Sequence, residues 1–297
     1  MFSKQHSRSS LLSTLIALML LVTNVSAAAA SANSIASPCD EVVRFERDAF
    51  TRPTRINNKW MPLVPGTQFI FEGRINQGGG PVAVSHQVVF TVTDLTKVVN
   101  GVRTVVLWDR DFDDGQLVEA ELAFFAQDKN GNVWNLGEYP EEYVDGVFEG
   151  APSTWIAGQA DAKAGIHMFA KPKVGSPSYL QGISRKIDFL DCGQVADNGQ
   201  SVDVPVGYYE NVLVTHEWSP LEPDSGIQVK YYAPGVGNVQ IGGVDDPEAE
   251  TLVLVDLVSL DPDALAEARN EALILDSRAY EVSKVYRKTS PAEAPQP

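Results

Sequence analysis

The chain has 297 residues and carries 39 acidic side chains against 23 lysines and arginines, a formal net charge of −16. A surface of that sign repels phosphate backbones and anionic lipid headgroups, so roles in binding nucleic acid or the membrane surface are disfavoured. Because no Ser/Gly-rich or Pro-rich linker interrupts the middle of the chain, we expect a single β-rich domain over residues 58–287.

Residues 1–32 predict a signal peptide. Lys4 and Arg8 precede an apolar run from Leu11 to Val25, and small residues suited to signal peptidase follow. The apolar run is too short for a comfortable membrane span, and no later segment is longer. We therefore expect a periplasmic or extracellular protein with no integral membrane segment after the signal is removed.

The chain contains two cysteines, Cys39 and Cys192. In an oxidising compartment, such a pair most simply forms one disulfide bond, which here would join the N-terminal arm (residues 33–57) to the second half of the domain. The alternative, a pair of free thiols at a metal or redox site, lacks a CxxC motif or a Cys/His cluster to support it.

Residues 101–139 predict the centre of an antiparallel meander. Asn100-Gly101 is a strong hairpin signal, and Asp-Asp-Gly and Asp-Lys-Asn-Gly-Asn mark two further turns. Strand-like alternation continues from Ser201 to Val258. The fold class that we predict is mainly β: a strongly curved sheet or open barrel, with a long C-terminal amphipathic helix packed on it.

The strand after Gly115 has two faces of different polarity. One face carries Val118, Ala120, Leu122 and Phe124, and the other carries Leu117, Glu119, Glu121 and Ala123. Because apolar residues normally face the core, we expect the first face to point inwards.

The C-terminal region changes from a period of two to a helical period. Asp261 is suited to the N-cap and Pro262 to the first helical position, and an apolar stripe recurs through residues 262–286. Packing of this stripe on the sheet is the expected role, with a cofactor or partner groove as the alternative. The Pro/Ala-rich segment 288–297 predicts a disordered tail.

A calcium site is one hypothesis for Asp109, Asp111 and Asp113, because alternating aspartates before a glycine turn resemble calcium loops. An extra residue before Gly115, and Ala120 where the loop pattern has glutamate, favour a plain hairpin instead. His86, His167 and His216 stand singly, without the spacing of a zinc site. We therefore expect no cofactor, with calcium as the alternative.

A carboxylate-dependent secreted hydrolase, with calcium as support, is a second functional hypothesis. Glu138 and Glu141 lie near several aromatic residues, as paired acids do in many carbohydrate-active sites. Such a site would require at least two of the acids Asp109, Asp111, Glu138 and Glu141 to meet in one cleft.

Three stretches resemble an uncharacterised family of exported, β-rich bacterial proteins. They contain PLVPGT (residues 62–67), GNVWNLGE (residues 131–138) and YYAPGVG (residues 231–237). The resemblance covers about residues 58–256, and it implies no activity and no functional residues.

The preferred hypothesis is a non-enzymatic binding or carrier protein for a small apolar or lipid-like ligand, since a curved sheet under a helix can enclose one. The candidate lining residues are Trp134, Trp155, Phe169, Tyr231 and Tyr232. A structural envelope-interaction module is the third hypothesis. The sequence does not decide the oligomeric state.

Overall fold

The computed structural model describes residues 39–295. The predicted signal peptide and residues 33–38 of the predicted arm lie outside this range. The described chain contains sixteen β-strands and one α-helix, α1, at Pro262–Val282. The strands are β1 (Ile56–Asn57), β2 (Pro62–Leu63), β3 (Thr67–Asn76), β4 (Ala83–Val99), β5 (Val102–Asp113), β6 (Gln116–Gln127), β7 (Val133–Val144), β8 (Val147–Gly150), β9 (Trp155–Ile156), β10 (Lys163–Met168), β11 (Tyr179–Ser184), β12 (Phe189–Val204), β13 (Gly207–Trp218), β14 (Ile227–Ala233), β15 (Gly237–Val244) and β16 (Thr251–Ser259).

Twelve strands form a closed antiparallel barrel. Strands β3 to β7 and β10 to β16 each pair with the next strand of the series, and β16 pairs with β3. The pairing of β7 with β10, through Asn135 with Gly165 and Trp134 with Ile166, closes the ring. The predicted antiparallel fold class with its C-terminal helix is confirmed, and the barrel is closed rather than open.

Both faces of the barrel wall are buried on the side that α1 covers. Ala120, Leu122 and Phe124 of β6 belong to a core outside the barrel, together with Ala272 and Leu275 of α1. Glu121 and Ala123, from the alternate face of β6, line the interior. The expectation that the Leu122 face points inwards was therefore wrong, because the helix gives the outer face a core of its own.

Helix α1 begins at the predicted cap and ends earlier than predicted. The Asp261 carboxylate accepts hydrogen bonds from the backbone N–H groups of Asp263 and Ala264. The helix ends at Val282 instead of residue 286, because Ser283 adopts an extended conformation. Tyr286 then lies in a short 3-10 turn and is fully buried.

The segment that the sequence predicts to be a disordered tail contacts the barrel wall within the described residues. Glu293 exchanges two backbone hydrogen bonds with Thr96 of β4, and the Glu293 carboxylate lies 2.7 Å from the Arg103 guanidinium. The Ser290 carbonyl accepts a hydrogen bond from Lys97 at 2.6 Å. Residues 288–293 thus run back along the wall that α1 covers.

The N-terminal arm is fixed to the barrel by a disulfide between Cys39 and Cys192 of β12, as predicted. Further along the arm, the rings of Phe45 and Phe50 pack against Trp134 on the outer face of β7. Neither α1 nor the short 3-10 turns within residues 39–295 have the apolar length that crossing a membrane requires.

Candidate functional site

A short hairpin covers one mouth of the barrel. Strands β1 and β2 pair with each other, and Asn58 between them holds the hairpin in place. Its side-chain amide donates to the carbonyls of Gly131 and Phe169, while its side-chain oxygen accepts from the N–H groups of Trp60 and Met61. A single buried asparagine therefore shapes the hairpin and attaches it to the barrel rim.

An apolar chamber of about 90 Å³ lies beneath this hairpin. The stretches that contain the PLVPGT, GNVWNLGE and YYAPGVG motifs span residues 58–73, 114–138 and 221–239, and each stretch contributes lining residues. Its lining residues are Met61, Pro62, Leu63, Phe69, Phe71, Val88, Phe90, Leu107, Asp109, Glu121, Ala123, Phe125, His167, Lys230, Tyr232, Gly237, Asn238, Ile241 and Leu252.

The floor of the apolar chamber is polar. It contains a lysine, Lys230, that forms an ion pair with Glu217. The Lys230 ammonium lies 2.6 Å from the Glu217 carboxylate, and both side chains are buried. Burial disfavours ionisation of Glu217, but Lys230 and His167 outweigh it and lower the pKa of Glu217 to about 2. Burial likewise opposes the charge on Lys230, yet Glu217 outweighs it and raises the pKa of that ammonium.

A second chamber of about 270 Å³ lies beyond this ion pair, since Glu217 lines it while Lys230 lines the first. Its wall is acidic, with Asp191, Glu217, Glu222, Asp246, Glu248 and Glu250. Burial, reinforced by the neighbouring Glu138, raises the pKa of Asp191 to about 8. Asp191 is therefore mostly protonated at neutral pH.

The acidic half of the barrel also contains a buried histidine. His86 Nδ1 lies 2.7 Å from Asp113 Oδ1, and His86 Nε2 lies 3.3 Å from Glu250 Oε1. Burial opposes protonation of the ring, but Asp113 and Glu250 outweigh it and raise the pKa of His86 to about 10. The imidazolium is therefore the stable form at neutral pH.

The two tyrosines predicted to line the ligand site face opposite sides of β14. Tyr232 lines the apolar chamber, whereas Tyr231 lies on the alternate face and is only partly buried. Phe169 lies outside both chamber linings, where its ring packs edge-on against Tyr179.

The two predicted tryptophans are buried as structural anchors. Trp134 donates its indole N–H to Asp128 at 3.0 Å, on the outer face of β7. Trp155 donates to Glu138 at 2.9 Å. Neither ring lines the apolar chamber or the acidic chamber.

Glu138 and Glu141, the two glutamates among the acids considered for hydrolysis, do not meet. Glu138 pairs in register with Ala123, which lines the barrel interior. Glu141 lies on the alternate face of β7, where its carboxylate accepts hydrogen bonds from the Tyr139 hydroxyl and the Arg278 guanidinium at 2.7 Å each. Glu141 therefore helps to attach α1 to the outside of the barrel.

The predicted calcium ligands belong to a strand rather than to a loop. Asp109, Asp111 and Asp113 lie on one face of β5, and the turn consists of Asp114 and Gly115, both with positive φ. Within residues 39–295, no group of three or more His, Cys, Asp or Glu side chains is arranged to hold a metal ion.

Sequence reasoning missed His167, Lys230, Glu121 and Glu217 as site residues. Each is a polar or charged residue in a strand, and Lys230 lies two positions from Tyr232 in the same strand. A charged side chain at an inward-facing position of a strand would have indicated a site residue. The sequence alone did not show which face of each strand points inwards.

No protein-family model and no curated protein matches the chain. Two crystal structures are similar in part. One is a Bacteroides fragilis NCTC 9343 protein described as exported and as having a YmcC-like fold, with 14% identity, 67% of this chain and 98% of that chain covered, and a TM-score of 0.36. The other is a Parabacteroides distasonis ATCC 8503 protein described as a lipoprotein, with 15% identity, the same coverage and a TM-score of 0.30. Similarity at this level carries no argument about function, so the family resemblance stays a prediction.

Proposed function

We propose that this protein is an exported, non-enzymatic binding protein whose barrel interior takes up the apolar part of a small ligand. The observation that carries the proposal is the apolar chamber under the β1–β2 hairpin, where Phe71, Phe125 and Tyr232 converge from three strands. Concave, largely apolar sites with a few polar groups are typical of small-molecule binding. The disulfide between Cys39 and Cys192 supports an oxidising compartment, periplasmic or extracellular.

The size of the chamber limits the ligand. An apolar cavity of roughly 150 Å³ admits one benzene molecule, whereas this chamber has about 90 Å³. The site therefore suits a short alkyl segment or one end of a longer molecule, rather than a whole lipid.

Titration of the protein with 1-alkanols from butanol to octanol, followed by calorimetry, tests this function. We expect affinity to rise about fourfold for each methylene that enters the chamber, and to level off once the chamber is full. Absence of binding by every alkanol would rule out the proposal.

A pair of leucine variants locates the binding. Leu252 of β16 lines the chamber, and Leu257 of the same strand is 39% exposed. Leu252→Trp should fill the chamber and abolish alkanol binding, at a stability cost of about 1–3 kcal/mol. Leu257→Trp, the matched control, should bind as the unmodified protein does. Equal binding by both variants would place the ligand elsewhere.

A further inference from the structure

Two buried side chains of the apolar chamber each have an unsatisfied polar atom. Asp109 Oδ1 and His167 Nδ1 have no hydrogen-bond partner in the described part of the chain. The side chains are only 7% and 5% exposed, respectively, and both line the chamber. Native proteins leave few buried polar atoms unsatisfied, and each such atom is costly. Two of them in one mostly apolar chamber indicate that something else completes their hydrogen bonding.

The surroundings favour the uncharged form of both groups. Burial, reinforced by the nearby Asp111, raises the pKa of Asp109 well above its ordinary range. Burial also lowers the pKa of His167 to about 4. The His167 imidazole is therefore neutral at neutral pH, and burial shifts Asp109 towards its uncharged, protonated form, so the surroundings favour hydrogen bonds rather than ionic contacts at both groups.

We propose that Asp109 and His167 recognise an uncharged hydrogen-bonding group, such as a hydroxyl, amide or carbonyl, at the end of the ligand's apolar part. This inference rests on the proposed function, because it names the chemistry of the ligand that the same chamber binds. The unpartnered oxygen and nitrogen supply the contacts, and the apolar walls around Phe71 and Phe125 hold the carbon skeleton.

A charged group fits this floor less well. An anion would meet no unpaired cation among the described residues that line this chamber, and a cation would share the chamber with the Lys230 ammonium. The rest of the lining is almost entirely apolar, so an ionic group would lose its hydration without a dedicated partner. Lys230 itself is already paired with Glu217.

Four probes with one carbon skeleton separate these possibilities: 1-butanol, 1-chlorobutane, butanoate and butylammonium, titrated at pH 7 by NMR. We expect 1-butanol to bind about fivefold more tightly than 1-chlorobutane, as one buried hydrogen bond allows, and the two ions to bind more weakly than either. Tighter binding of 1-chlorobutane, butanoate or butylammonium than of 1-butanol would overturn the inference while leaving the apolar site intact. Binding by none of the four would contradict the proposed function itself.

Variants of Asp109 test whether the preference for 1-butanol over 1-chlorobutane arises at the polar floor of the chamber. Asp109→Leu should reduce the preference for 1-butanol over 1-chlorobutane, because only His167 is then left to contact the hydroxyl, while Asp109→Asn, which keeps a hydrogen-bonding side chain, should retain the preference. Asp203→Leu, at an exposed position of β12, is the matched control and should behave as the unmodified protein. An unchanged preference in Asp109→Leu would overturn the role of Asp109. If Asp109→Leu does not fold, the relative affinities of the four probes for the unmodified protein still test whether the chamber prefers an uncharged hydrogen-bonding group.

Discussion

At the scale of single residues, the stability of the fold depends on the pairing of buried charges inside the barrel. Lys230 and Glu217 are each less than one-tenth exposed, and their charged atoms lie 2.6 Å apart. Removing one member of such a pair leaves the other as an uncompensated buried charge, which is more costly than replacing both.

The first prediction concerns this pair. Lys230→Met should lower the free energy of unfolding by about 3–5 kcal/mol, measured by urea denaturation at pH 7. Adding Glu217→Leu should restore much of the loss, because no charge is then stranded. The control is Arg103→Met, whose partner Glu293 is exposed, with an expected cost of about 0–1 kcal/mol. Equal losses in the two single variants would contradict the pairing argument.

The second prediction is a pH dependence that originates at His86. Its pKa is about 10 in the folded protein against an ordinary value of 6.5, so the folded state holds the proton more tightly than the unfolded chain does. The resulting stabilisation is fully present below pH 6.5 and is lost as the pH rises towards 10.

Urea denaturation between pH 6.5 and 10 checks this dependence. The unmodified protein should lose stability over that range, and His86→Gln should lose less, because the buried Asp113 and Glu250 then have no titrating partner. Asp191, with a pKa raised to about 8, contributes a fall of the same sign in both proteins. An identical pH profile for both proteins would show that His86 is not responsible.

At the scale of elements, a buried lysine of the barrel, Lys97, binds both α1 and the C-terminal segment of residues 288–293. Lys97 of β4 is fully buried, and its ammonium donates hydrogen bonds to the Asp276 carboxylate, the Tyr280 hydroxyl and the Ser290 carbonyl at 3.0, 2.8 and 2.6 Å. Burial lowers the pKa of Lys97 even though Asp276 opposes the shift. The charge of Lys97 therefore depends on Asp276.

The third prediction follows from this contact. Asp276→Asn preserves the shape of the side chain but removes the charge opposite Lys97, and we expect a loss of about 3–5 kcal/mol in the free energy of unfolding. Asp263→Asn, in the exposed first turn of the same helix, should cost less than about 1 kcal/mol. If chemical denaturation gave similar small losses for both variants, Lys97 would not be the attachment point.

Local periodicity was sufficient to predict individual elements. The antiparallel strand succession and the start of α1 at Pro262 follow from side-chain alternation and cap chemistry. The end of α1 could not be predicted, because Tyr286 continues the apolar stripe in sequence. In the structure, Tyr286 is buried in a separate 3-10 turn, and its hydroxyl donates a hydrogen bond to Asp276.

At the scale of the whole molecule, closure of the barrel is the feature that local patterns could not supply. Strands alternate in the same way in an open sheet and in a closed one, so neither closure nor the inward face can be read from one strand. Glu217 and Lys230 are neighbours within the β13–β14 hairpin, but Asp109 of β5 and His167 of β10 line the same chamber as Lys230 only when the ring closes. Most of the site was therefore not predictable from sequence; Tyr232 was predicted as a lining residue, and Asp109 was named as a candidate only in other roles.

The fourth prediction concerns the disulfide, which joins residues separated by 153 positions. Replacing Cys39 and Cys192 together by serine should lower the free energy of unfolding by about 5 kcal/mol, because the unfolded chain loses the constraint on a long loop. Denaturation with and without reductant checks this: reductant should destabilise the unmodified protein and leave the double variant unchanged. Equal stability of the unmodified protein and the double variant in the absence of reductant would contradict this prediction.

Ligand binding in the apolar chamber can be tested by a crystal structure of the protein soaked with 1-hexanol. We expect density for the alkyl chain among Phe71, Phe125 and Tyr232, with the hydroxyl oxygen towards Asp109 and His167. Density for 1-hexanol on the outer surface or in the acidic chamber, with the apolar chamber empty, would contradict it.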